Sequence, residues 1–97
     1  MGKKIKILMV ASEATPIVKV GGLGDVLGSL PPALNHLGCE ARIIIPLSRG
    51  VDRKKYRLKK VVSGLPIAFA GKIFSVNLWE TRTAVRGTVL YLVENFS

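Results

Sequence analysis

The chain has 97 residues, of which 48% are apolar, and a formal net charge of +9. This length allows one small domain or a part of a larger one, and the apolar share is typical of a globular protein with a core. No apolar run approaches the roughly 18 residues of a membrane-spanning helix. The single cysteine, Cys39, excludes a disulfide framework and a cysteine metal cluster, so we expect a cytoplasmic protein without a membrane partner.

The first half of the chain predicts a βαβ unit. The segment KIKILMVASE is short, aliphatic and followed by breakers, as in a buried parallel strand, and ATPIVKVGG reads as a loop. From Leu23 to Leu37, apolar residues recur in steps of three and four, which predicts a helix that Gly38 ends. The run EARIIIPL then predicts a second strand, which Pro46 stops.

Two adjacent prolines interrupt the helical pattern. A proline inside a helix has no backbone N–H to donate to the carbonyl four residues earlier, and its ring clashes with the preceding turn. Two solutions are open for Pro31 and Pro32: the helix kinks, or Ser29 caps a second helix whose first turn accommodates both prolines. We therefore expect a kinked or two-part helix.

The second half of the chain changes to β-rich segments. KKVVSGLPIAFA, GKIFSVNLWETRTA and GTVLYLVEN are separated by Gly64, Gly71 and Gly87, which predicts strands or hairpins. Because GTVLYLVEN is nearly all apolar, it is a candidate to rejoin the parallel sheet. The predicted fold class is α/β, a Rossmann-like parallel sheet with a βαβ start and added β-hairpins.

Much of the positive charge lies in the run RGVDRKKYRLKK, from Arg49 to Lys60. The run is either a solvated connection between two core elements or a basic, non-enzymatic module that binds a polyanion. Tyr56 is its one aromatic ring, whereas proteins that bind single-stranded nucleic acid stack successive bases on several rings. The solvated connection is favoured, and we do not expect a nucleic-acid partner.

The glycine-rich stretch IVKVGGLGDV fails the two common phosphate-loop motifs. A dinucleotide fingerprint needs a glycine three residues after Gly24, and Gly28 comes one position late. A Walker A loop needs Ser or Thr after Gly-Lys, and Ile73 follows Gly71-Lys72. Neither a dinucleotide loop nor a Walker loop is therefore predicted.

An anion site at the start of the predicted helix remains open. The first N–H groups of a helix have no partner within it and carry its positive dipole end. Gly21 and Gly22 let a ligand approach the backbone closely, and Lys19 adds an ammonium group. The alternative is a plain glycine turn with a solvated lysine.

The sequence around these glycines resembles a known family. SEATPIVKVGGLGDVLGSLPPAL resembles the N-terminal signature of bacterial glycogen synthases and plant starch synthases, in which S-E-x-x-P leads to K-x-G-G-L-x-D-V and then to G-x-L-P-x-A-L. The likeness is dense from Ile7 to Leu47 and weakens towards GTVLYLVEN. Such an ordered run is far more specific than a lone glycine motif.

The resemblance implies a GT-B enzyme, in which two Rossmann-like domains face each other across a cleft. Such an enzyme transfers glucose from ADP-glucose or UDP-glucose to the non-reducing end of an α-1,4-glucan, with retention of configuration, in glycogen or starch synthesis. It uses no metal and no cofactor, since cationic side chains and helix ends stabilise the leaving diphosphate. The implied partners are a nucleotide sugar and a glucan acceptor. Another GT-B transferase with a different donor is an alternative.

The resemblance also assigns residues to the sugar-nucleotide site. Lys19 contacts the sugar nucleotide, and the backbone N–H groups of Gly21 and Gly22 meet its phosphate and glucose region. Leu23 packs while its backbone lines the loop. Asp25 hydrogen-bonds a sugar hydroxyl or orders the loop, or it only interacts favourably with the helix N-terminus.

For Glu13 the resemblance leaves two roles open, a contact on the acceptor side or an anchor for the loop. Residues 1–97 correspond to the N-terminal part of the catalytic domain, with the C-terminal domain of the same enzyme absent. No residue here is assigned as catalytic, and His36 is expected at the surface rather than near the transferred sugar. We therefore expect no glucosyl transfer by this chain alone.

Overall fold

The computed structural model describes residues 4–18 and 21–95. Its elements are β1 (Lys6–Val10), α1 (Gly22–His36), β2 (Glu40–Pro46), β3 (Lys59–Phe69), β4 (Lys72–Val85) and β5 (Thr88–Asn95). The five strands form one sheet in the order β1-β2-β5-β4-β3. Strands β1, β2 and β5 are parallel, and β5, β4 and β3 are antiparallel. The predicted α/β class is confirmed, and GTVLYLVEN does rejoin the parallel sheet as β5.

The core lies between the parallel strands and the single helix. Ile43 and Ile45 of β2 and Leu90 and Leu92 of β5 are at most 1% exposed, and Leu27 of α1 joins the same cluster. Ile43 is the register partner of Leu90, and Ile45 of Leu92, so both pairs point to the same face. Burying each such side chain contributes roughly 1.5–3 kcal/mol. The helix is therefore held by one apolar face of the sheet.

Strand β1 is less buried than the sequence predicts. Leu8 is 57% exposed and Val10 78%, whereas Met9 packs against the core. The strand lies at one edge of the sheet, and α1 covers only the face to which Met9 points. The strand is parallel, as predicted, but its predicted burial is wrong, because β1 has one neighbour and one covered side.

Helix α1 runs without interruption through both prolines, so the two-part alternative is wrong. The Ser29 hydroxyl does not begin a second helix; it donates to the Asp25 carbonyl at 2.8 Å, one turn back. At the other end, Gly38 has φ +97° and turns the chain towards β2, as the sequence predicts. Asn35 ties this end to the sheet, since it donates to the Ala41 carbonyl and accepts from the Ala41 N–H at 2.6 Å.

Two glycines close the hairpins, and a third has a different place from the one predicted. Gly71 follows Ala70, and Gly87 follows Arg86; all four have positive φ, as tight two-residue hairpin turns require. Gly64 instead lies inside β3, where the register with β4 shifts. Its N–H group donates to Asn77 Oδ1 at 3.0 Å. Gly64 is thus part of a bulge within a strand and not a separator.

Among the described residues, no helix is both long enough and apolar enough to cross a membrane.

Candidate functional site

Three segments meet at the carboxyl ends of the parallel strands, where open α/β sheets bind ligands. They are the loop from Ala11 to Gly21, which follows β1, the segment 47–58, which follows β2, and the end of β5. The loop after β1 contains part of the predicted site and leads into α1. Lys19, the cation predicted for this site, lies outside the described residues.

Glu13 lies under the start of α1 and is 5% exposed. Its Oε1 atom accepts the N–H of Gly24 at 2.8 Å and that of Gly21 at 3.2 Å, and its Oε2 atom is 3.3 Å from the Gly21 nitrogen. These amides belong to the N-cap residue and the first turn, which carry the positive end of the helix dipole. A buried carboxylate is costly unless it is hydrogen-bonded, and these donors compensate its charge.

Thr15 attaches the same loop to the side of α1. Its N–H donates to the Gly24 carbonyl at 2.9 Å, and its hydroxyl donates to Asp25 Oδ1 at 3.1 Å. The approach is close: a methyl group on Gly28 would lie 2.9 Å from the Thr15 carbonyl oxygen, and one on Gly24 would lie 3.1 Å from its hydroxyl. Gly24 and Gly28 therefore let the loop lie flat against the helix.

Sequence reasoning missed Thr15 and this use of Gly24 and Gly28. It considered Gly28 as a misplaced glycine of a dinucleotide fingerprint and as part of the G-x-L-P-x-A-L signature, without a role in packing. The available signal was the spacing of four residues between the two glycines, which places both on one face of the helix. Asp25, by contrast, was singled out, and the structure places it in contact with the loop through Thr15.

The outer side of the glycine turn is open. A methyl group added to Gly22 would have no atom of the described residues within 4 Å, and Gly21 and Gly22 are both exposed. Leu23, which was expected to pack, is 47% exposed because it lies on the side of α1 that faces away from the sheet. Gly21, Gly22 and Leu23 thus form an accessible surface above the buried Glu13 carboxylate.

The segment 47–58 between β2 and β3, which contains most of the basic run, is folded against the rest of the protein. Asp52 Oδ1 accepts the N–H groups of Lys54 and Lys55, which closes a turn. The Tyr56 ring packs against the core cluster, and its hydroxyl donates to the Pro16 carbonyl at 3.4 Å. Since the one aromatic ring of the run is engaged within the protein, it is not available for stacking on a base.

A cluster around Glu94 fixes the same segment to the end of β5. Glu94 accepts hydrogen bonds from Arg53 at 2.6 Å, from Trp79 Nε1 at 3.0 Å and from Asn77 at 3.2 Å. The Arg53 guanidinium also lies 4.9 Å from the centre of the Trp79 ring, and Lys60 Nζ lies 5.2 Å from it. The hydrogen bonds from Trp79 and Arg53 lower the pKa of the Glu94 carboxyl. Sequence reasoning did not identify this cluster.

No set of metal ligands appears in the part of the chain that the structure describes: no three His, Cys, Asp or Glu side chains converge there. His36 is exposed near the end of α1, as expected. The site that the described residues present is a backbone surface at the start of a helix, with the Glu13 carboxylate beneath it.

Comparison with known proteins identifies the family. Residues 6–97 match the family model of the starch synthase catalytic domain. The chain belongs to this family. It is 39% identical over 95 residues to glycogen synthase 1 of Geobacter metallireducens. The matched region covers 96% of this chain and 19% of that protein. It is also 38% identical over 91 residues to glycogen synthase of Geotalea daltonii, covering 94% of the chain and 18% of that relative.

Family membership agrees with the fold. The structure is similar to the catalytic domain of starch synthase IV from Arabidopsis thaliana bound to ADP and acarbose, with a TM-score of 0.86 and 27% sequence identity. The match covers 98% of this chain and 19% of the plant protein chain, and it places the five-stranded sheet in a GT-B glycosyltransferase domain. The chain spans about a fifth of the length of the relatives that it matches.

Proposed function

We propose that this chain is the N-terminal part of a retaining glucosyltransferase of glycogen or starch synthesis. The enzyme transfers glucose from ADP-glucose, or from UDP-glucose, to the non-reducing end of an α-1,4-glucan. Residues 1–97 form part of the N-terminal Rossmann-like domain, and a C-terminal domain provides the other wall of the cleft. Family membership over residues 6–97 supports this assignment, as does the likeness to a starch synthase domain bound to ADP and acarbose.

One observation supports a role in donor binding for this part of the enzyme. The glycine turn opens outward at the carboxyl end of the parallel sheet, at the start of a 15-residue helix. The N–H groups and dipole of such a helix end favour a phosphate group, and Gly21 and Gly22 place no side chain in its way. Lys19 supplies an ammonium group to the donor diphosphate, and Leu23 contributes its backbone.

Asp25 has two roles in this proposal. Its carboxylate accepts the Thr15 hydroxyl at 3.1 Å, which orders the loop, and its exposed side accepts a sugar hydroxyl of the donor. The leaving diphosphate is stabilised electrostatically by cations and helix N-terminal amides, without a cofactor. No catalytic residue is assigned within these 97 residues, so the chain alone is expected not to transfer glucose.

The test uses the full-length protein and the variant Lys19→Ala, with Lys72→Ala at the start of β4 as a matched control. Removing a charge-assisted hydrogen bond to the donor is expected to raise KM for ADP-glucose about 10- to 100-fold. A panel of ADP-glucose, UDP-glucose and other nucleotide sugars identifies the donor. Unchanged kinetics with lowered stability would instead support a plain glycine turn.

A second assay examines the 97-residue chain with ADP-glucose and glycogen, where turnover would contradict the proposed division of the site. Salt-dependent binding to heparin without a response to ADP-glucose would favour the polyanion-binding alternative for Arg49–Lys60.

A further inference from the structure

The buried carboxylate of Glu13 is the strongest unexplained feature of the glycine turn. It is 5% exposed and directed at backbone amides of two glycines, although a carboxylate prefers water. Three of the four residues from Gly21 to Gly24 are glycines, and such a segment has many accessible conformations unless it is held. The carboxylate therefore restricts a glycine-rich segment that would otherwise have many accessible backbone conformations.

The fixed amides lie on either side of the open surface. Gly21 is the N-cap and Gly24 the third helical residue, and Glu13 Oε1 accepts from both. Between them lie Gly22 and Leu23, whose N–H groups point from the same helix end. As the first two residues of the helix, they have no acceptor for these N–H groups within it. Fixing Gly21 and Gly24 thus sets the direction of the amides between them.

We propose that Glu13 is a positioning residue for donor binding, which holds the backbone from Gly21 to Gly24 in the conformation that receives the diphosphate of a nucleotide sugar. This inference rests on the proposed function. Glu13 itself contacts neither the donor nor the reacting atoms, because its carboxylate lies beneath the turn and is occupied by the turn's own amides.

The reach of the side chain makes the proposal specific. One oxygen, Oε1, accepts from both glycines at 2.8 and 3.2 Å, so a glutamine with its carbonyl oxygen at this position keeps these two hydrogen bonds and loses only the 3.3 Å contact of Oε2 with the Gly21 N–H. An aspartate is shorter by one C–C bond of about 1.5 Å. Its carboxylate would lie beyond hydrogen-bond distance of Gly24. Glutamine thus removes the charge and keeps the reach, whereas aspartate keeps the charge and loses the reach.

The experiment compares Glu13→Gln and Glu13→Asp in the full-length protein. We expect Glu13→Gln to keep KM for ADP-glucose within about threefold and Glu13→Asp to raise it at least about tenfold, with kcat changed less than KM. Asn35→Ala is the matched control, since it loosens the far end of the same helix. It is expected to lower Tm as Glu13→Asp does, with KM unchanged.

Three outcomes would overturn the proposal. If Glu13→Asp lowers Tm and leaves KM unchanged, as in Asn35→Ala, then Glu13 only stabilises the fold. If Glu13→Gln raises KM at least about tenfold while Glu13→Asp leaves it unchanged, the charge and not the reach matters. If the wild-type protein turns over no nucleotide sugar, the proposed function fails. Hydrogen exchange of the amides of residues 21–24 then tests whether Glu13 holds the turn. Protection in wild type and Glu13→Gln but not in Glu13→Asp supports positioning of the turn, and equal exchange contradicts it.

Discussion

Arg53 and Glu94 are 41 residues apart in the chain, and the Arg53 guanidinium donates to the Glu94 carboxylate at 2.6 Å. Arg53 lies in the segment after β2, and Glu94 lies near the end of β5. Because Trp79 of β4 donates to the same carboxylate, one acidic side chain joins three parts of the protein at the carboxyl edge of the parallel sheet. The basic segment is thereby a fixed part of the fold.

This cluster predicts a pH-dependent contribution to stability. Its hydrogen bonds lower the pKa of Glu94 in the folded protein, so the contribution is complete above the unfolded-state pKa of about 4.3 and is lost as the pH falls through the folded-state pKa. Glu94→Gln is expected to lower the free energy of unfolding by about 1 kcal/mol at pH 7. Thermal unfolding from pH 7 to pH 2.5 should show the difference between wild type and variant shrinking, and a constant difference would contradict this account.

Gly28→Ala is expected to destabilise the protein although alanine favours helices. The added methyl group would lie 2.9 Å from the Thr15 carbonyl oxygen, and this neighbour is backbone that cannot rotate away. The clash is expected to outweigh a helix-propensity gain of about 1 kcal/mol and to leave a net loss of about 1–2 kcal/mol. Denaturant unfolding measures the loss, and a variant as stable as wild type would show that the loop can lift from the helix without cost.

Gly22→Ala is expected to separate stability from donor binding. Within the part of the chain that the structure describes, no atom lies within 4 Å of the added methyl group, and the residue is helical, so stability should be unchanged or higher by up to about 1 kcal/mol. Under the proposed function, the methyl group occupies the surface that the donor phosphate approaches, and KM for the donor should rise about tenfold. Steady-state kinetics of the full-length protein test this, and an unchanged KM would place the donor away from Gly22.

The hairpin of β3 and β4 carries apolar side chains at its tip. Phe69 is 70% exposed and Ile73 is 76% exposed, so neither contributes much to the core. The double variant Phe69→Thr and Ile73→Thr keeps residues that favour strands and should change the free energy of unfolding by less than about 0.5 kcal/mol. Light scattering is expected to detect less self-association. A loss of several degrees in Tm would show that the tip packs against another part of the full-length protein.

Features that depend on neighbouring residues in the chain could be predicted from the sequence. The end of α1 at Gly38, the strand that Pro46 stops and the turns at Gly71 and Gly87 all follow from local backbone preferences. The return of β5 to the parallel sheet followed from its apolar composition, because a strand covered on its sides must be apolar along its length.

Features that depend on distant partners could not be predicted in the same way. Glu13 and Glu94 are unremarkable acidic residues in the sequence, and their roles come from amides and side chains 8 to 41 positions away. The resemblance selected Glu13 but left its role undecided, and nothing local indicated the bulge at Gly64. The uninterrupted helix through Pro31 and Pro32 likewise reflects packing of the prolines, one of them buried, which outweighs the local preference to break.

The pairing of β2 with β5 has a consequence for biosynthesis. Ile43 and its partner Leu90 are 47 residues apart, whereas β3, β4 and β5 are consecutive antiparallel strands joined by tight turns. At 5–20 residues per second, the ribosome completes β5 about 2.5 to 10 seconds after β2. During that interval the isoleucines of β2 lack their partners on β5. Since local pairings form faster than distant ones, we expect the antiparallel strands to fold as one unit and the βαβ unit to join them last.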